Sequence, residues 1–331
     1  MALGALQQGY KGALAAWLGF TLPSAALLIL FALGLSNYGE QLAPGWLHGL
    51  KIAAVAVVAQ AVWGMYRNLC QGRQRLALML ASAMITLYFK SAHSQWFAIM
   101  VAAGIGSWWL RNVTHPPATP SDRLLPLSPT VAISCLVLFI LLLCLLPLLA
   151  AGHPHSSLSE FAALFRVGSL VFGGGHVVLP LLHQETVLTG WVSENTFLTG
   201  YGAAQAIPGP LFTFAAFLGA AKVTAPSGIA GGLWYLVAIF LPSFLLVLGI
   251  LPFWHRLRVN PVMQAALAGV NAAVVGLLLA AFIHPIAGSA LHNVGDAVLA
   301  LLTLFALVHL KIPAWLVVML CAGASFLLSR V

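Results

Sequence analysis

Long stretches of this chain carry no charged side chain, among them those between Lys11 and Glu40, Arg123 and Glu160, Lys222 and Arg256, and Arg258 and Asp296. Each is longer than the ~20 apolar residues that take an α-helix across a hydrocarbon core. Inside lipid no water is available to main-chain N–H and C=O groups. A spanning segment must therefore bond them to itself, as a helix does. This confines the chain to an all-α polytopic membrane protein. Composition agrees, since 61% of the 331 residues are hydrophobic and 6% are charged, against roughly 25% charged in a soluble domain.

The charge that remains excludes other classes. The formal net charge is +8, yet the basic residues sit in short loops between apolar runs, as orientation signals do, and form no single basic face. Nucleic acid is not an expected partner; the lipid bilayer is. Cys70, Cys135, Cys144 and Cys321 show no C-x-x-C or other metal spacing, and Cys135 and Cys144 share one apolar run, where a free thiol behaves as a small hydrophobe. Met1 to Tyr10 lacks the basic start and cleavage site of a signal peptide. No cofactor motif occurs.

The chain also repeats itself. Leu22-Pro23-Ser24 returns as Leu241-Pro242-Ser243; Trp96, Met100 and Gly104 return as Trp315, Met319 and Gly323, in each case 219 residues later. Gly49, Ala53 and Val55 return as Gly269, Ala273 and Val275, one residue further on. Two long related apolar halves are a signature of secondary transporters, whose substrate site lies between the repeats. Apolar segments are expected at about 14–35, 49–66, 75–89, 95–110 and 129–151, then as two interrupted segments at 161–188 and 194–222. Further spans follow at 228–250, 262–284, 295–309 and 313–329. The proline-rich linker Arg111 to Pro129 separates a first unit, 1–128, from a second, 129–331, which opens with the connecting span 129–151.

Loop charge gives orientation. Arg67, Arg73 and Arg75 follow the 49–66 span, whereas loop 36–48 carries only Glu40. In the second half the bias swaps: Arg256 and Arg258 lie in the counterpart of 36–48, and loop 285–294 has no Lys or Arg. By the positive-inside rule the halves lie in opposite senses, an inverted-topology repeat of two related helical halves.

Two segments hold the candidate site. In the first, Gly173-Gly174-Gly175 precedes His176. Three glycines interrupt a helix, each costing about 1 kcal/mol relative to Ala. A helix restarting at His176 would aim free N–H groups and a positive dipole end at the gap, an anion site made of backbone. The alternative is a tight helix crossing at small residues. In the second segment, Ser193 is a candidate N-cap, and Pro208-Gly209-Pro210 breaks the run, since Ile207 and Gly209 precede prolines. A merely proline-kinked helix is the competing outcome.

The polar residues near these breaks stay open between two roles. Arg166 is either the electrostatic partner of an anion or a snorkelling interfacial side chain. Gln205 either donates to an oxyanion or bonds across helices. His176 and His183 either relay protons or are neutral hydrogen-bonded helix residues. Glu185 and Glu194 read as solvated charges at the cytoplasmic end, with proton coupling as the alternative, and Lys222 as a helix end. His48, His115, His153 and His155 are assigned nothing, having no metal spacing. An intramembrane enzyme could draw on His176 and Glu185, but no nucleophile stands at useful spacing from a base and there is no H-E-x-x-H, so no enzyme is expected.

Phe165-Arg166-Val-Gly168, Phe172-Gly173-Gly174-Gly175-His176-Val-Val-Leu-Pro180-Leu and Gln205-Ala-Ile-Pro208-Gly209-Pro210-Leu-Phe-Thr-Phe214 closely resemble the second half of the chromate ion transporter family. Gly12-Ala-Leu-Ala-Ala-Trp17-Leu-Gly19-Phe20-Thr-Leu-Pro23-Ser24 resembles the later part of that family's first half. The resemblance implies fused halves of opposite orientation in a bacterial inner (plasma) membrane, and chromate efflux driven by the proton gradient, with sulfate as a related oxyanion. It makes protons the coupling ion and leaves a homodimer open. Its substrate-binding residues are Arg166, Phe172, Gly173, Gly174, Gly175, His176, Gln205, Pro208, Gly209 and Pro210. First-half copies of the Phe-Gly-Gly and Pro-Gly-Pro segments would fall before Met1, so the first half reads as N-terminally truncated, with Met1-Ala-Leu-Gly4 resembling sequence just after a Pro-Gly-Pro. Transport of another anion such as sulfate, or a non-transporting truncated membrane protein, are the alternatives.

Overall fold

The apolar runs fold as helices in the computed structural model, which describes residues 1–38, 44–89, 92–111, 128–153, 156–254, 257 and 259–328, with no strand among them. The first unit contributes α1 (Ala2–Tyr38), α2 (Pro44–Leu69), α3 (Arg73–Tyr88) and α4 (Ala92–Trp109). The connecting span is α5 (Pro129–Ala150). Then come four short helices, α6 (Ser157–Leu170), α7 (Val178–Thr186), α8 (Glu194–Ala206) and α9 (Phe214–Ala221). The last four are α10 (Gly228–Ile250), α11 (Pro261–Ala281), α12 (Val294–Val308) and α13 (Ala314–Leu328). Among the described residues, five stretches are long and apolar enough to cross a membrane: Ala2–Tyr38, Gly45–Leu69, Pro129–Ala150, Gly228–Phe253 and Pro261–Ala290. The protein is an all-α polytopic membrane protein.

Local chemistry sets several of the ends. Asn260 accepts hydrogen bonds from the N–H groups of Val262 and Met263, with Pro261 in the first turn, so α11 starts with a filled cap. Ser156 caps α6 and Ser193 caps α8, the latter as its sequence predicts. Past Ala281, α11 loosens into a wide turn at Phe282–Ala287, where His284 leaves helical geometry before Pro285 (φ −150°, ψ 119°).

The sequence repeat is a structural one. Gly9 and Gly228, 219 residues apart, share a positive φ (61° and 59°) at the foot of α1's long segment and of α10. Gly4 packs on Gly12 as Gly219 packs on Gly231: a Cβ on any of the four would strike the carbonyl oxygen of its partner. The long spans show the same exchange. Gly49 of α2 lies against Cys321, Ala322 and Ser325 of α13, and Gly269 of α11 lies against Ala102 and Gly106 of α4. Cys321 and Ser325 are the residues 219 positions after Ala102 and Gly106. Each half thus clasps the long span of the other: α12 and α13 pack on α2, and α3 and α4 pack on α11.

The two long spans run antiparallel. His48, near the start of α2, bonds Asp296 beyond the end of α11 (2.9 Å), whereas Leu69 and Cys70 at the other end of α2 pack with Ala265 and Ala268 near the start of α11. This is the geometry an inverted repeat requires. Glu40, Arg256, Arg258 and most of the proline-rich linker lie outside the described residues.

Candidate functional site at two facing breaks

The interrupted segments do break where glycine and proline predict, but each doubles back instead of continuing as a kinked crossing. At the first, α6 stops at Leu170, Gly173 adopts φ 80°, and a single 3-10 turn at Gly175–Val177 leads into α7. At the second, Ile207 is extended (φ −101°, ψ 125°) ahead of Pro208, Pro210 is extended too, and a 3-10 turn at Leu211–Thr213 leads into α9. The return is visible in the contacts. Arg166 of α6 lies 3.2 Å from both carboxylate oxygens of Glu185 on α7. Phe197 of α8 meets Phe214 of α9 edge-on at 5.0 Å, and a Cβ on Gly200 would overlap the Phe217 ring. The longest of these four helices, α6 with 14 residues, reaches about 21 Å at 1.5 Å per residue, short of a hydrocarbon core about 30 Å thick. They form two re-entrant hairpins.

The hairpin tips face each other. A Cβ on Gly175 would sit 3.4 Å from Leu211 Cβ, and one on Gly173 would sit 3.2 Å from Oδ1 of Asn271, well inside α11. A side chain at Gly209 would strike Ser24 of α1, so only glycine lets the second tip approach that helix. Among the described residues, the amides of Gly173, Gly174, Gly175 and His176 find no main-chain acceptor, nor do those of Gly209, Leu211 and Phe212. Gly173, Gly174, Pro208 and Gly209 are exposed. Unpaired, exposed backbone inside a membrane protein is tolerated where it lines a water-filled cavity and not where it meets lipid.

The side chains around the tips add donors. Nδ1 of His176 is 3.0 Å from the hydroxyl of the fully buried Tyr201 on α8. Gln205 Nε2 and Trp17 Nε1 are buried donors with no acceptor among the described residues. Trp17 packs edge-on against Phe240, which in turn packs on Phe212 of the second tip. Phe172 is half-buried beside the first tip.

The charges are engaged elsewhere. Arg166 is held in an ion pair by Glu185. Glu185 is buried on α7 and Glu194 half-buried on α8, where its Oε2 meets Nε2 of His183 at 2.9 Å. Neither is the solvated loop charge its sequence context suggests, because each belongs to a hairpin helix with a basic partner at hand. Lys222 does end α9, but it is buried with its ammonium 2.6 Å and 2.7 Å from the carboxylate oxygens of Glu160 at the start of α6. That pair closes the base of the two hairpins. A cavity of about 240 Å³, lined by Thr86, Gln95, His183, Gln184, Glu194 and His284 among others, opens at the far end of α7 and reaches neither break. The arrangement at the tips offers an anion many neutral donors. That is how a helix start binds oxyanions, through N–H groups and the dipole end.

The chromate transporter family model matches residues 1–108 and 158–326. The chain belongs to the chromate transporter family. It is 28% identical over 284 residues to a chromate transport protein of Pseudomonas aeruginosa, a match that spans 83% of this chain and 64% of that protein. It is 24% identical to a probable chromate transport protein of Synechococcus elongatus (98% of this chain, 79% of that protein) and 23% identical to a chromate transport protein of Cupriavidus metallidurans (93% and 73%). The chain thus spans about two thirds to four fifths of the length of these relatives. No solved structure matches it significantly. These named relatives are transport proteins.

Of the residues singled out from the sequence, Phe172 to His176 and Pro208 to Pro210 lie at the two breaks, Gln205 lies in the last turn of α8 just before the second, and Arg166 pairs with Glu185. Sequence reasoning missed Asn271, Tyr201 and the Glu160–Lys222 pair. The signals were present but weak: Asn271 is the one polar side chain between Gln264 and His284, and Tyr201 sits alone in the apolar part of α8.

Proposed function

We propose that this chain moves chromate, or a related tetrahedral oxyanion, across a bacterial plasma membrane, and that the two facing hairpin tips are its substrate half-site. The observation that carries this reading is the set of amides without a main-chain acceptor at Gly173–His176 and at Gly209, Leu211 and Phe212, on two facing turns where Gly173, Gly174 and Gly209 are exposed. A dianion supplies the acceptors these donors lack, and the site needs no side-chain cation to hold it. Gln205 and Asn271 complete the lining, and the His176–Tyr201 bond fixes the first tip. Arg166 acts through its bond to Glu185, holding α6 against α7. Family membership and the names of the relatives support chromate as the anion. Because amide donors recognise charge and tetrahedral shape rather than chromium, sulfate competes at the same place.

Protons drive the efflux in this proposal, entering by the cavity at the far end of α7, where Glu194 and His183 share a hydrogen bond. Everted vesicles carrying the chain test both parts. Chromate accumulation that depends on a pH gradient, lost in Gly174→Leu and in Asn271→Leu and competed by sulfate, is the expected result. Uptake equal to that of vesicles without the protein, or unchanged in both variants, contradicts the site. A Glu194→Gln variant that still takes up chromate down its own gradient, but no longer responds to pH, is the expected outcome for coupling.

A further inference from the structure

We propose that His48, His292 and Asp296 form a binding site for one divalent transition-metal ion, which ties the two halves of the protein together at one end. No sequence spacing announces it, because His48 and Asp296 are 248 residues apart. The inverted repeat makes the juxtaposition: α2 starts where α11 ends, so a histidine near the first end meets the connection that follows the second.

The geometry is that of a two-histidine, one-carboxylate donor set. His48 Nε2 lies 2.9 Å from Asp296 Oδ1, the imidazoles of His48 and His292 have centroids 5.7 Å apart, and one ligating atom from each of the three residues lies within 4.8 Å of the others. The carboxylate is held in place from behind. Its Oδ2 accepts the main-chain N–H of His292 (2.9 Å), and the N–H of Asp296 itself donates to Asn293 Oδ1 (2.8 Å). Such outer bonds orient a ligand before the ion arrives. Asp296 is buried, His48 half-buried and His292 exposed. With bonds of about 2.0–2.2 Å to nitrogen and carboxylate oxygen, ligand atoms around one ion stand about 3.3 Å apart. Closing from the present spacing requires a swing of the His292 ring, which its exposure allows. Imidazole nitrogens with one carboxylate select borderline ions such as Zn²⁺, Co²⁺ or Ni²⁺ over Mg²⁺ or Ca²⁺, which favour oxygen. Three ligands leave a position for water.

Titration of the purified full chain in detergent with Co²⁺, followed by Zn²⁺, reads the site directly. We expect one equivalent of Co²⁺ to develop the visible absorption of a nitrogen- and oxygen-ligated ion, Zn²⁺ to abolish it, and Zn²⁺ to raise the thermal unfolding temperature of the parent. His292→Ala, an exposed change that leaves the His48–Asp296 bond intact, weakens binding roughly 10-fold or more, as do His48→Ala and Asp296→Asn. His309→Ala, at the opposite end of α12, binds like the parent. If the triple variant binds Co²⁺ as the parent does, or the folded parent shows no absorption at stoichiometric Co²⁺, the proposal fails and the three residues are a hydrogen-bonded latch. In that case His48→Ala lowers the unfolding temperature equally with Zn²⁺ and with EDTA. The site is independent of transport, so neither result bears on the hairpin tips.

Discussion

The spans α2 and α11 are the same structural part used for two purposes. Each crosses the other half's last helix at a glycine, Gly49 on α13 and Gly269 on α4, and each carries a polar residue two positions later. In α11 that residue is Asn271, whose amide oxygen stands over Gly173 at the first tip. In α2 it is Lys51, whose ammonium donates instead to Asn195 in the first turn of α8 (2.9 Å). The glycines repeat because backbone-to-backbone packing in a membrane has few solutions. The polar residues diverge because they answer to different neighbours. What the repeat preserves is scaffold, and what it varies is the site.

Changes ranked by size sharpen that contrast. The hairpins are anchored by a buried charge pair and the scaffold by apolar crossings, so the largest loss is expected at the anchor. Lys222→Met strands the Glu160 carboxylate and costs about 3–5 kcal/mol, whereas Lys222→Met with Glu160→Leu recovers most of it, because replacing both charges removes the stranded one. Thermal unfolding in detergent measures both. Next come Gly269→Leu and Gly49→Leu, each destabilising by about 1–3 kcal/mol or more through overpacking against α4 and α13. Their costs should match, and a large effect at one with none at the other would break the equivalence of the two halves. Asn271→Leu follows, with little change in unfolding temperature but at least a tenfold loss of chromate uptake. Lys51→Met is the smallest, within ~0.5 kcal/mol for a partly exposed surface-type contact, with uptake retained. If instead Lys51→Met abolishes uptake and Asn271→Leu does not, the polar positions have been assigned to the wrong halves.

How much could be read beforehand depends on how local the cause is. The breaks at Gly173–Gly175 and Pro208–Pro210 and the cap at Ser193 are properties of a few consecutive residues, and they stand where glycine, proline and cap chemistry put them. The return of each broken segment as a hairpin is not local. Whether a chain continues or folds back after Gly173 is decided by what α7 packs against, which here is α6 through Arg166 and Glu185. The same holds for Glu185 and Glu194: an acidic residue near a predicted helix end reads as solvated until a partner such as Arg166 or His183 is brought to it. Lys222 and Glu160 meet across 62 residues, and a burial that depends on two remote segments leaves no mark in either one. The repeat itself was legible as spacing, but the exchange of α12 and α13 for α3 and α4 needed coordinates.

The donors left free at the two facing turns make the proposed site, and amide hydrogen exchange of the peptides covering 171–178 and 207–213 addresses them most directly. Without anion these amides should exchange rapidly, in contrast to those of α11, and saturating chromate or sulfate should slow both peptides together while leaving α5 unchanged. Slow exchange before any anion is added, or rates in both peptides indifferent to saturating chromate, would contradict it.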